Sequence, residues 1–329
     1  MGCSKLKFVT ARSIGIMGPM FGATSTCKSG DLFFISPHFG GLDPCDEYLK
    51  HLQSPYPLPH ILDWGAHMNI LNFKQKKEQQ TKISMLTCYD FPSAQIIAES
   101  NIDCVLVGDS VAMAVHGFDS TIMATMEMMT LHTEAVARGL NKQFLISDLP
   151  FLCHRVSHTD TIQNVKKLLQ AGAQAVKIEG ADEGVCQTIR YLVTAGIPVM
   201  GHIGLTPQSI HQLGGYKVQG RGKEQADGLL EQAMHLENAG CFGLVIECVP
   251  KDVAKTITQA LAIPTIGIGA GPDTDGQVLV WHDMLGLQTS FQPHFLKQFA
   301  HGKELFLSAI NTYVEHIQLA QFPTLEHSF

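Results

Sequence analysis

Eight short runs rich in β-branched residues recur along the chain, at 83–90, 103–110, 143–150, 174–180, 197–204, 241–249, 263–271 and 278–287. Each closes on polar residues, and most are followed by a longer stretch of helical period, such as 159–171 and 223–239, with Gly172 and Gly240 as stops. A strand followed by a helix-length connection and another strand predicts parallel pairing, because only a crossover of that length returns the chain to the same end of a sheet. Eight such units in about 250 residues have the size and order of a (β/α)8 TIM barrel. A doubly wound open sheet carries the same periodicity and is the alternative, since period does not reveal closure. At 329 residues and 45% hydrophobic, the chain is long enough to bury such a core.

Residues 1–67 read differently, with Gly, Pro, Phe and Ser mixed without period and a loop-like run, Ser54-Pro55-Tyr56-Pro57-Leu58-Pro59. They are expected to form a poorly ordered extension, with 68–329 as the catalytic barrel and Met68 to Gln80 as a helical lead-in. Lys5, Lys7, Arg12 and Lys28 without an acid in the first thirty residues are the basis of a lesser reading, an organelle transit peptide. Leu6 occupies the position at which a myristoylation start needs Ser or Thr, so a lipid anchor is rejected. A net charge of −7 with 16% charged residues excludes a phosphate-neutralising surface, and with it nucleic acid as a partner. The apolar stretches are strand-sized, which predicts a soluble chain with no membrane span. Nine scattered cysteines with no C-x-x-C pair argue against zinc and against a disulfide framework, and fit a reducing cytoplasm.

Barrel enzymes place their chemistry where strands end. The strand ends here carry Asp109, Asp148, Lys177 with Glu179, His202 and Glu247, groups that are costly to bury for packing alone. In Val176-Lys177-Ile178-Glu179, alternation sends the aliphatics one way and Lys177 and Glu179 toward the axis, and the same reading is applied to Val107 with Asp109, Ile146 with Asp148 and Val245 with Glu247. One strand-end acid is commonly a salt bridge or an N-cap. Four in register with a lysine repel one another and call for a compensating cation. Oxygen donors without Cys pairs or a His cluster favour Mg²⁺ over Zn²⁺.

Two Gly-rich stretches flank these ends. Ile266 to Gly271 lacks dinucleotide spacing and is expected to bring backbone close to a ligand. Gly214 to Gly222 reads either as a mobile cover or as a plain surface loop.

Over 68–329 the sequence resembles the ketopantoate hydroxymethyltransferase family. The resemblance is carried by Val107-Gly108-Asp109-Ser110, Gly117-Phe118-Asp119-Ser120-Thr121, Asp148-Leu149-Pro150-Phe151, Val176-Lys177-Ile178-Glu179-Gly180, Gly201-His202-Ile203-Gly204-Leu205-Thr206-Pro207-Gln208-Ser209 and Glu247-Cys248-Val249-Pro250. It implies a barrel of the phosphoenolpyruvate/pyruvate-type group and Mg²⁺ held through Asp109, Asp148 and Glu179. It also implies 2-oxo-acid contacts from Asp109, Ser110, Asp148 and Lys177, with Glu247 as proton acceptor and 5,10-methylenetetrahydrofolate as one-carbon donor. His202 would hold the substrate carboxylate or serve as a structural strand-end histidine. Family members form large rings, commonly decamers, so a homo-oligomer is expected. His154 stands where Tyr is common. The rival enzyme reading, a Mg²⁺-dependent C–C lyase or mutase of the same barrel group, lacks its usual Lys-Cys-Gly-His-type loop here. A catalytically dead binding module does not fit the intact acids and Lys177.

Overall fold

The computed structural model describes residues 67–288 and 293–329. The expectations for residues 1–66 lie outside the described residues. Eight parallel strands, β1 (Ile83–Thr87), β2 (Cys104–Val107), β3 (Phe144–Asp148), β4 (Ala175–Glu179), β5 (Val199–Gly204), β6 (Gly243–Glu247), β7 (Thr265–Ile268) and β8 (Gly276–Leu279), follow one another around a closed barrel. The ring closes where Ile83 of β1 pairs with Gly276 of β8 and Met85 with Val278. Closure leaves no unpaired edge and excludes the open sheet.

The connecting helices are α1 (Ile70–Glu78), α2 (Phe91–Ala98), α3 (Val111–Ala114), α4 (Met126–Gly139), α5 (His158–Gln170), α6 (Glu183–Thr194), α7 (Ile210–Leu213), α8 (Lys223–Ala239), α9 (Lys251–Ala260), α10 (Trp281–Met284) and α11 (Gly302–Gln318). Local chemistry sets their ends. Asp90, Thr125, Ser157 and Asp182 each accept a hydrogen bond from a first-turn backbone N–H, a cap worth about 1 kcal/mol. Gly172 and Gly240 take φ of 110° and 100°, the left-handed conformation in which α5 and α8 stop.

Pleat parity sorts the strand residues into two layers. Met85, Leu106, Ile146, Val245, Ile266 and Val278 fill the barrel, while Val105, Val107, Val176, Ile178 and Ile246 pack outward against helix residues such as Ile97, Val136, Leu168, Ile189 and Ile257. Phe73 of α1 plugs the bottom, edge-on to Phe144 and Phe242 at 5.4 and 5.2 Å. The lead-in helix is thus part of the core.

Two expectations need correction. The eighth strand runs from Gly276 to Leu279 and not through 278–287, because Trp281–Met284 coil into α10 once β8 has paired with β1. Val107 faces the helices, so Asp109 does not reach the mouth by strand alternation. β2 ends at Val107 and a tight turn, with the Val111 N–H donating to the Gly108 carbonyl, swings Asp109 inward. Among the described residues, no helix is long and apolar enough to cross a membrane. From residue 303 onward every residue is exposed, although α11 carries Leu305, Phe306, Ile310, Tyr313, Val314 and Ile317.

Candidate active site

The C-terminal strand ends bring all seven sequence-derived site residues, Asp109, Ser110, Asp148, Lys177, Glu179, His202 and Glu247, to one cavity of about 400 Å³. The register dictates their neighbours. Asp148 pairs with Lys177 across β3 and β4, Glu179 with His202 across β4 and β5, and Gly204 with Glu247 across β5 and β6. The Asp109 N–H donates to Asp148 Oδ2 at 3.0 Å. Lys177 Nζ lies 3.2 Å from Asp148 Oδ1 and 4.0 Å from Glu179 Oε1. His202 sits between two acids, with Nδ1 3.3 Å from Glu179 Oε1 and Nε2 3.3 Å from Glu247 Oε2.

Burial and charge pull these groups in different directions. Burial, reinforced by Asp148 and Glu179, holds the Asp109 carboxyl well above the usual carboxylate range. Burial also raises Asp148, although Lys177 opposes it. Glu179 goes the other way: burial would raise it, but His202 and Lys177 outweigh that and hold it low. For Lys177 burial disfavours the charge, and the Asp148, Glu179 and Asp109 carboxylates more than offset it, so the ammonium is held above its ordinary value. Burial and Lys177 likewise disfavour a charged His202, yet Glu179 and Glu247 bring it up to about 9. With every group ionised, four carboxylates face two cations. The cluster retains negative charge that a divalent ion would neutralise.

The donor set fits Mg²⁺. Asp148 Oδ1 is buried and has no aligned hydrogen bond, and Asp109 adjoins Asp148. Among the described residues, however, no three Asp, Glu, His or Cys groups converge as a ready-made cluster. Glu179 is turned to His202 and to the Gln208 N–H, which donates to Glu179 Oε2 at 3.0 Å. Mg²⁺ commonly uses one or two carboxylates and completes its octahedron with waters and substrate oxygens, so Asp109 with Asp148 is a sufficient pair.

Sequence reasoning assigned no role to Gln208, Tyr89 or Asp283. Gln208 Nε2 donates to Asp109 Oδ2 at 2.8 Å and to the Leu149 carbonyl at 2.9 Å, tying the turns after β2, β3 and β5 together. Tyr89 Oη and Ser110 Oγ are 2.8 Å apart. Asp283 of α10 lines the cavity, as do Tyr216, Lys217 and Val218 of the Gly-rich stretch 214–222. Gly269, at φ 63°, lies against Phe295, whose ring an added Cβ would meet at 2.7 Å. Gly269 of the stretch 266–271 thus packs against a side chain of the cavity wall. A separate cavity of about 460 Å³ at the opposite end of the barrel is lined by residues such as Asn72, Lys76 and Asp103 and holds none of the strand-end acids.

Fold and site together define a (β/α)8-barrel enzyme with an acid-lined, lysine-bearing mouth. Residues 67–325 match ketopantoate hydroxymethyltransferase, and the chain belongs to that family. It is similar to the 3-methyl-2-oxobutanoate hydroxymethyltransferase of Legionella pneumophila (strain Lens), 72% identical over 80% of this chain and 100% of that protein. It is likewise similar to the enzyme of that name from Francisella tularensis subsp. tularensis (strain WY96-3418), 52% identical over 79% of this chain and 98% of that protein. The barrel is shared with 2,3-dimethylmalate lyase, a PEP mutase/isocitrate lyase superfamily member (TM-score 0.50, 16% identity, 79% of this chain and 91% of that one). It is also shared with phosphonopyruvate hydrolase in complex with oxalate and Mg²⁺ (TM-score 0.52, 11% identity, 78% and 92%).

Proposed function

We propose that the chain transfers a one-carbon unit from 5,10-methylenetetrahydrofolate to 3-methyl-2-oxobutanoate, giving ketopantoate on the route to pantothenate. The observation that carries this reading is the row Asp148, Lys177, Glu179, His202 and Glu247, in which acids alternate with Lys177 and His202 inside one cavity, so that Lys177 stands beside Asp148 at one end and Glu247 closes the other. Asp109 and Asp148 would hold Mg²⁺, with the Glu179 carboxylate in the same cavity. When bound, the ion supplies positive charge for an oxyanion at the substrate's keto oxygen.

Lys177 adds a fixed cation to the same end, and Asp148 keeps its Nζ from turning away. Ser110, whose Oγ is held 2.8 Å from Tyr89 Oη, lines the cavity beside Asp109 and would meet the substrate carboxylate. Glu247 takes the C3 proton, and the C–H electron pair moves into the C2–C3 bond with charge collecting on the keto oxygen. His202 is a positioning residue that aims the Glu247 carboxylate. C3 then attacks the donor's methylene carbon, the two bonds from that carbon to the folate nitrogens break with their electron pairs staying on nitrogen, one water supplies the hydroxyl, and the nitrogens take up the proton held by Glu247 and the proton released by that water.

The apolar face of α11 supports a homo-oligomer, with a decamer as the finer reading, because a helix carrying Leu305, Phe306, Ile310 and Tyr313 in water lacks the burial that holds helices in place. Six described cysteines, all free, support a reducing, cytoplasmic setting. The deciding assay is ketopantoate formation from 3-methyl-2-oxobutanoate and methylenetetrahydrofolate, with and without Mg²⁺. It is run beside exchange of the C3 proton into deuterated water. Exchange and product that both require Mg²⁺ are the expected result; a chain that supports neither is not this enzyme.

A further inference from the structure

The same cavity holds a carboxylate that the proton chemistry leaves unused. Asp283 belongs to α10, the short helix that follows β8, and lines the cavity with Tyr216 and Phe295. It is half-buried, and burial holds its carboxyl above the usual carboxylate range, with no offsetting charge among the described residues. Among the described residues, no N–H or O–H donates to its side chain, and no lysine, arginine or histidine lies within ion-pair distance of it. A carboxylate so placed keeps its hydrogen bonds only as long as water fills the cavity. A ligand that displaces the water must bring donors of its own, or binding loses the free energy of desolvating the charge.

The wall of the cavity that Asp283 lines narrows the chemistry of that ligand. Phe295 is seated against Gly269, where no side chain would fit beneath its ring. Tyr216 reaches across from the Gly-rich stretch, its hydroxyl 3.8 Å from Met113 Sδ. The cavity of about 400 Å³ falls in the roughly 300–1,000 Å³ range of pockets for drug-sized ligands, more than a small branched oxo acid fills. A flat heteroaromatic ring with two N–H donors side by side on one edge suits such a place. Its faces would meet aromatic walls, and its edge would meet both oxygens of a carboxylate.

We propose that Asp283 recognises the 2-amino-4-oxopyrimidine edge of the folate donor, accepting the ring N–H and the exocyclic amine as a bidentate pair while Tyr216 and Phe295 flank the ring. The assignment rests on the folate reading given above and adds to it the residue that orients the donor over the acids.

The test compares wild type with Asp283→Asn and Asp283→Ala. Binding of tetrahydrofolate and of 3-methyl-2-oxobutanoate is measured by calorimetry in the presence of Mg²⁺, alongside KM for methylenetetrahydrofolate. Removing a charge-assisted pair is expected to weaken tetrahydrofolate binding on the order of ten- to a hundredfold, raising the folate KM to match. The change in oxo-acid affinity is expected to be several-fold smaller. Variants that bind tetrahydrofolate as well as wild type, or that lose both ligands equally, overturn the role of Asp283. A wild-type chain that binds no tetrahydrofolate at all overturns the folate reading itself, a result that the wild-type arm reads separately from the variants.

Discussion

Among single residues, Glu247, the proposed base, offers the test that separates binding from chemistry. It stands at the far end of the charged row from Asp109, facing His202. Glu247→Gln keeps size and hydrogen-bonding reach but cannot take the C3 proton. Deuterium exchange at C3 and ketopantoate formation are both expected to fall, by about 10²–10⁴-fold, while 3-methyl-2-oxobutanoate still binds. Exchange at the wild-type rate with collapsed product formation would move Glu247 to a later step. His154 lies off this row and reports on stability. It is buried in the turn after β3, with neither ring nitrogen hydrogen-bonded. Burial, helped by Arg155, lowers its pKa from 6.5 to about 4. The folded state thus disfavours the charged ring, and between pH 6.5 and 4 the unfolded chain takes up the proton first. Stability from this site is full above pH 6.5 and is lost as pH falls toward 4, by about 3 kcal/mol at most. His154→Phe is expected to flatten the fall of melting temperature over that window. An unchanged slope would assign the acid sensitivity to other groups.

At the level of elements, the strands and their caps follow from local pattern, whereas the last segments of the barrel do not. The alternation in Ala175–Glu179 and the caps at Asp90, Thr125, Ser157 and Asp182 need only neighbours in the chain. β8 ends early because its partner β1 offers pairing only from Ile83 to Leu86, after which α10 turns Asp283 into the cavity. α11 is anchored at its start, where the Gly302 N–H donates to the Leu285 carbonyl at 2.8 Å, and is exposed beyond it. If α11 joins one copy of the chain to another, removal of residues 303–329 is expected to reduce the particle to a smaller assembly by light scattering, with the circular dichroism of the barrel retained. A truncated chain of unchanged particle mass would locate the association surface elsewhere.

For the whole molecule, α1 belongs to the base of the barrel. Phe73 is fully buried between Phe144 and Phe242, so the unit begins before β1. Residues 68–329 are expected to fold and turn over like the full chain, whereas a cut that also removes α1 forfeits at least a Phe→Ala equivalent, about 3–5 kcal/mol. Thermal melts of the two truncations distinguish these outcomes, and an inactive 68–329 would give residues 1–67 a structural part. By itself the sequence determined the eight-unit order, the inward face of Lys177 and Glu179 on β4, and the placing of Asp148, Lys177, Glu179, His202 and Glu247 at strand ends. Those features rest on pleat parity and helical period, which act over a few residues. Only the tertiary structure decided the closure of β8 on β1, the swing of Asp109 through a turn, the bridge from Gln208 to Asp109 and Glu179, and the entry of Phe295 and Asp283 into the mouth. These depend on contacts between residues far apart in the chain, made by aperiodic turns whose course no local pattern specifies.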